Sequence, residues 1–299
     1  MELYKREGNA ELPAFVVDEK LNDPKLYTPS HELKDAVNVA LMLGQPLLVT
    51  GEPGTGKTQL AYHVAHFFGL GKPLIFNAQT TTKAMDLFYT YDALGHFQHN
   101  QNQKSTLNKS QIEEKFIHYN ALGEAIRQNT RMVVLIDEID KAPRDFPNDI
   151  LFAIEQLSFQ IKEIQRHFKA KNENRPIIII TSNSEKNLPD AFMRRVVYHH
   201  IQFPNSEELL YILSKRLDGI ALTDMKRIVD HFYKIRNLHL KKPPSTAELI
   251  YWALLLQKIN FPIVSLDNPT NYETRDQLLM TYAVLAKNKE DLAMLNAMD

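Results

Sequence analysis

Gly51-Glu52-Pro53-Gly54-Thr55-Gly56-Lys57-Thr58 decides the fold of this 299-residue chain, and three of its ten glycines crowd into these eight positions. The octapeptide follows a short apolar run, Pro46-Leu47-Leu48-Val49-Thr50, and leads into Gln59-Leu60-Ala61-Tyr62-His63-Val64-Ala65, whose spacing is helical. A strand, a glycine-rich turn and a helix start, in that order, are the context of a G-x-x-x-x-G-K-[ST] phosphate loop. Glycines let successive backbone N–H groups turn inward around an anion, and the helix start adds the positive end of its dipole. The candidate binding residues are therefore Gly51, Glu52, Pro53, Gly54, Thr55, Gly56, Lys57, Thr58 and Gln59. Lys57 supplies a point charge for terminal phosphates, and the Thr58 hydroxyl is a ligand for Mg²⁺. The bland alternative is an ordinary glycine turn. The local context favours a nucleotide-binding protein.

Apolar strands alternate with helical patches through the first two-thirds of the chain. The expected strands are 46–50, 73–77, 132–136, 176–181 and 196–203. An uninterrupted β-branched run such as Ile177 to Ile180 suits a strand buried on both faces, as in a parallel sheet. Helical spacing between these strands completes an α/β pattern: a parallel five-stranded sheet flanked by helices. Residues 96–116 are polar and read as an insertion or exposed loop, and 158–175 read as a hairpin. After Pro204 the strand signal stops, so 1–203 form an α/β nucleotide-binding core and 204–299 an all-helical domain.

Bulk properties narrow the class. With 44% hydrophobic and 24% charged residues, the composition is that of a globular protein. A formal net charge of −1 offers no general electrostatic case for nucleic acid or anionic membranes. The absence of cysteine excludes disulfides, thiolate metal sites and cysteine nucleophiles. The start, Met1 to Glu7, lacks the apolar centre of a signal peptide, and no apolar run approaches the ~20 residues of a membrane span. Cytoplasmic residence without a membrane is the expectation.

Val133-Val134-Leu135-Ile136-Asp137-Glu138 supplies the second half of the site. Two acidic residues at the end of a buried strand face the crevice where open α/β sheets bind ligands. Asp137 is placed to hold Mg²⁺ through water, and Glu138 to polarise a water for attack on a γ-phosphate. Such a pair favours hydrolysis over transfer to a small-molecule acceptor.

With these residues in place, the chain resembles the AAA+ ATPases and, within them, the MoxR-like group. The resemblance rests on Gly51–Thr58, on Ile136 to Arg144, on Thr181-Ser182-Asn183 and on Leu188 to Arg195. It implies ATP with Mg²⁺ as the nucleotide, and Asn183 as the side chain that orients the attacking water. It also implies that Arg194 and Arg195, Arg195 in particular, reach the nucleotide of a neighbouring subunit. A trans arginine implies a homo-oligomeric ring, by resemblance a hexamer. The implied activity is remodelling or activation of a client protein, with a von Willebrand factor A domain protein as a frequent partner. The helical tail corresponds to the family's lid, in which Thr246 stands where an arginine is usual. Residues 96–116 and 158–175 take the places of the family's helix-2 insert and pre-sensor-1 hairpin.

Competing readings are weaker. Asp92-Ala93-Leu94-Gly95 and Asn288-Lys289-Glu290-Asp291 fit GTPase patterns, but the first follows no clean apolar strand and the second lies in a helical tail. A helicase or initiator relative calls for a basic groove that the charge balance does not support. A small-molecule kinase leaves the arginine pair without a role. His63, His66, His199 and His200 show no metal-binding spacing. Leu87 to Tyr91 reads as core packing, with a minority alternative in which Tyr89 or Tyr91 lines a ring channel and grips a client.

Overall fold

The structure, a computed structural model, describes residues 23–102, 107–128, 130–183, 187–269 and 271–298. The chain divides into two units: one of residues 29–51 and 56–201, the other of Glu52–Thr55, the described residues up to Thr28, and Gln202 onward.

The strands among the described residues are β1 (Leu47–Gly51), β2 (Leu74–Asn77), β3 (Tyr89–Tyr91), β4 (Ile117–Tyr119), β5 (Val133–Asp137), β6 (Ser158–Ile161), β7 (Arg166–Lys169), β8 (Ile177–Ser182) and β9 (Val197–Ile201). Helices α1 to α7 of the first unit span His31–Leu43, Lys57–Phe67, Ala93–Asn102, Lys109–Phe116, Ala121–Gln128, Phe146–Gln156 and Asp190–Met193. In the second unit α8 to α12 span Ser206–Arg216, Leu222–Arg236, Thr246–Lys258, Tyr272–Thr281 and Lys289–Asn296.

Five strands form one sheet in the order β2-β5-β8-β1-β9, and every pairing in it is parallel. The expected parallel five-stranded sheet is therefore present. Its central strands are apolar because helices cover both faces: Leu47 to Val49, Val133 to Ile136 and Ile178 to Ile180 are all buried. Burying each such side chain contributes about 1.5–3 kcal/mol. Helix α1 is fixed at its start by Ser30, which accepts from the Leu33 N–H at 3.2 Å, and stops at Gly44 in the left-handed region. The parallel register aligns the carboxyl ends of the strands. Asn77 pairs with Asp137, Thr50 with Ser182 and Gly51 with Ile201, so Gly51 and the acidic pair emerge along one edge of the sheet.

Two small antiparallel ribbons, β3–β4 and β6–β7, supplement the sheet. The hairpin expected within 158–175 is β6–β7, where Phe159 pairs with Phe168. The polar stretch 96–116 is not an exposed loop over its described part: most of it lies in α3 and α4. Caps hold these helices in place of an apolar stripe. Asp92 accepts from the Gly95 N–H, and Asn108 exchanges a capping box with Gln111.

Tyr89 is likewise corrected as a channel candidate. It is buried among Phe88 and Phe159, with its hydroxyl donating to Glu163 at 2.9 Å. Tyr91 is half-buried, 2.5 Å from His96 Nδ1. In the second unit, capping boxes at Asn205/Glu208 and Ser245/Glu248 start α8 and α10. Trp252, Phe232, Leu249 and Leu256 fill its core. Among the described residues no helix is long and apolar enough to cross a membrane.

Candidate functional site

The phosphate loop turns through glycines because its backbone occupies conformations that side chains resist. Gly54 and Gly56 have φ of 76° and 87°, and Gly56 leads directly into α2. Lys57 is buried on the first turn of α2, and its ammonium donates to the Gly51 carbonyl at 2.8 Å. Glu52, Pro53, Gly54 and Thr55 form the loop tip, which belongs to the second unit. There Arg236 Nη2 donates to Glu52 Oε2 at 2.8 Å, and a Cβ on Gly54 would stand 2.3 Å from Ser245 Cβ. Gln59 lies one residue beyond Thr58 on α2.

Thr58 and Asp137 meet. The Thr58 hydroxyl is 3.2 Å from each Asp137 carboxylate oxygen, joining the start of α2 to the end of β5. Hydroxyl and carboxylate oxygens are hard donors of the kind Mg²⁺ takes, so this pair fits the ion. Beside them, Glu138 has φ 55°, a left-handed conformation unusual for a residue with a side chain. A strained residue immediately after a ligand-bearing strand end marks a position held by its surroundings.

Those surroundings are a polar network. The Thr181 hydroxyl donates to Asp137 Oδ1 at 2.5 Å and accepts from the Glu138 N–H at 2.9 Å. Asn183 Nδ2 donates to Glu138 Oε1 at 3.0 Å, while Lys141 Nζ pairs with Glu138 Oε2 at 2.5 Å. The buried carboxylate of Asp140 accepts from the Asn183 N–H at 3.2 Å, which fixes the turn after β8. The structure thus brings together Lys57, Thr58, Asp137, Glu138 and Asn183. Thr181, Asp140 and Lys141 join them without having been singled out. Thr181 carried one available signal: a hydroxyl ending a run of four isoleucines, three of them buried, needs a polar partner.

Arg194 and Arg195 stand apart from that network, exposed at the carboxyl end of α7. Arg195 Nε pairs with Glu155 Oε1 on α6 at 2.7 Å. Thr246 opens α10, and its buried hydroxyl oxygen has no hydrogen-bond partner among the described residues. The two GTPase-like tetrapeptides turn out to be helix caps. Asp92 starts α3, and Asn288 starts α12 by accepting from the Asp291 N–H at 2.7 Å. Among the described residues no group of three or more His, Asp or Glu side chains is arranged to hold a metal.

Residues 47–205 match the profile of a family described as "ATPase family associated with various cellular activities (AAA)". A search of curated proteins finds no match. Among solved structures, the chain is similar to two variants of the RuvB protein of Thermotoga maritima. One is 16% identical with a TM-score of 0.47, covering 91% of this chain and 71% of that one. The other is 17% identical with a TM-score of 0.45, covering 87% and 69%.

Proposed function

Because this chain belongs to the AAA family of ATPases, whose profile spans more than half its length, we propose that it hydrolyses ATP with Mg²⁺ and uses turnover to remodel or activate a partner protein. The observation that carries the hydrolytic part is the convergence of Thr58, Asp137, Glu138 and Asn183 at one edge of the sheet. Backbone N–H groups of the Gly51–Thr58 loop and the Lys57 ammonium hold the β- and γ-phosphates. Thr58 and Asp137 are the residues that would hold Mg²⁺, which when bound offsets phosphate charge. Glu138 takes the proton of the attacking water as its oxygen bonds to the γ-phosphorus and ADP leaves. Asn183 orients that water: its amide donates while its carbonyl accepts.

Asn183 and Lys141 occupy both oxygens of Glu138. Proton transfer to Glu138 requires these contacts to reorganise. Arg194 and Arg195 serve the nucleotide of an adjacent copy, which makes a closed homo-oligomeric ring, a hexamer in the MoxR-like reading, the active unit. A client protein, and a von Willebrand factor A domain protein as adaptor, complete the proposal, with the cytoplasm as its setting.

Steady-state turnover and nucleotide retention test it. Glu138→Gln lowers kcat by about 100-fold or more while the protein still retains ATP, and Lys57→Ala loses ATP binding. Turnover by Glu138→Gln equal to wild type would sink the assignment. Affinity capture with the ATP-loaded Glu138→Gln protein then identifies the client.

A further inference from the structure

The arginine pair does not present two equivalent cations. Arg195 is engaged within its own chain: Nε pairs with Glu155 at 2.7 Å, and Nη1 donates to the Ala191 carbonyl at 3.1 Å. Its charge is compensated by a carboxylate of the neighbouring helix. Arg194 is exposed, and its side chain has no hydrogen bond or ion pair among the described residues. Successive residues at a helix end project about a quarter-turn apart, and only Arg195 of the two is paired with Glu155. Beneath them Phe192, fully buried, anchors α7 in the core, so the corner carrying both arginines is firmly seated.

The two side chains line one cleft of about 350 Å³ with Glu155, Leu151 and Arg175. Arg175 gives its Nε–H to the Gly44 carbonyl at 2.9 Å and has no carboxylate partner among the described residues. Three arginines against a single glutamate leave the cleft with an uncompensated positive charge. Stabilising phosphate charge in a transition state requires a cation whose field is not already cancelled.

We propose that Arg194 is the arginine that acts on the neighbouring copy's nucleotide, and that Arg195 is a positioning residue held in cis by Glu155. This division rests on the reading that the pair works in trans. It reverses the emphasis that the family resemblance places on Arg195.

A charge reversal separates the roles. With ATPase activity measured on the assembled protein, Arg194→Ala lowers kcat by about 100-fold or more. Adding Lys57→Ala protomers, which keep both arginines but cannot load nucleotide, restores turnover to the Arg194→Ala sites. Glu155→Arg and Arg195→Glu each lower kcat by on the order of threefold, as expected of an exposed pair. The double variant, with the charges exchanged, recovers to within about twofold, because the tether is rebuilt.

If Arg195 is instead the acting arginine, the exchanged pair stays as inactive as Arg195→Glu alone and Arg194→Ala turns over normally; either result overturns the assignment. Failure of Lys57→Ala protomers to rescue Arg194→Ala removes the trans reading itself, and the division of labour with it.

Discussion

Two of the places where polar groups enter the interior are built differently. At the carboxyl edge of the sheet, Asp137, Glu138, Asp140, Thr181 and Asn183 are tied to one another, and one of them stands in a left-handed backbone conformation. In the core of the C-terminal helices, His231 is stacked on Trp252 and Tyr282. Its Nε2 meets the Tyr282 hydroxyl at 2.9 Å, while Nδ1 lies 3.6 Å from Asp267, beyond hydrogen-bonding reach. The first region holds more polar side chains and backbone strain than packing requires. The second sets isolated polar pairs, His231 with Tyr282 and Trp252 Nε1 with Thr281 at 2.8 Å, within an apolar cluster that includes Phe232, Leu249 and Leu256. Surplus polar order at a strand edge signals chemistry, whereas isolated polar pairs among aromatics are part of the core.

Four experiments sharpen that contrast. The largest expected effect falls on the helical core: Trp252→Ala destabilises the C-terminal unit by about 3–5 kcal/mol, read from chemical denaturation followed by circular dichroism. A loss below about 1 kcal/mol would mean that this cluster is not the centre of the core. Next, Thr181→Val removes both ties between Asp137 and Glu138 at nearly constant volume. Each unpaired group costs about 1–3 kcal/mol of stability, and loss of the shared anchor of Asp137 and Glu138 lowers kcat by up to about 100-fold, with the fold retained. Unchanged turnover would reduce the network to packing.

Third, Lys141→Ala frees one oxygen of Glu138. Because the pair is partly exposed, the change in kcat stays within about fivefold. The smallest effect concerns pH. Burial holds the His231 pKa below its ordinary value, despite the opposing influence of Asp267. The unfolded chain therefore binds this proton more readily, so the contribution is fully present above the unfolded value near 6.5 and is lost as pH falls below it. Asp267 is lowered too, chiefly by its bond to Lys234, but its contribution is lost only at more acidic pH, below the ordinary aspartate value. Fluorescence of Trp252, the single tryptophan, should show the melting temperature falling between pH 7.5 and 5.5. His231→Gln should flatten that slope.

How much of this was legible in the sequence depends on the period of each signal. Strands buried on both faces announce themselves as apolar runs. The five expected strands overlap β1, β2, β5, β8 and β9, with starts displaced by one residue. The phosphate loop and the Asp-Glu pair were readable because their spacing is dictated by the ligand. Helices α3 and α4 were missed because few of their residues face a core, and they depend on caps at Asp92 and Asn108. The same capping chemistry made two short stretches imitate GTPase patterns. The strained backbone of Glu138 leaves no mark in residue order, and the sequence at Thr181 signals a need for a polar partner without showing that the hydroxyl serves two. The strain and the double role both arise when β5 and β8 lie side by side.

The strand order has a consequence for how the protein is made. β1 lies between β8 and β9, with Leu48 opposite both Ile180 and Tyr198. During synthesis the segment carrying the phosphate loop therefore emerges early but lacks both lateral neighbours until roughly two-thirds of the chain has been translated. Pairing across such separations is slow, and the waiting segment exposes a hydrophobic strand with two open edges. Nascent chains stalled before residue 201 should be unusually dependent on chaperones, and release from that dependence should coincide with the emergence of β9.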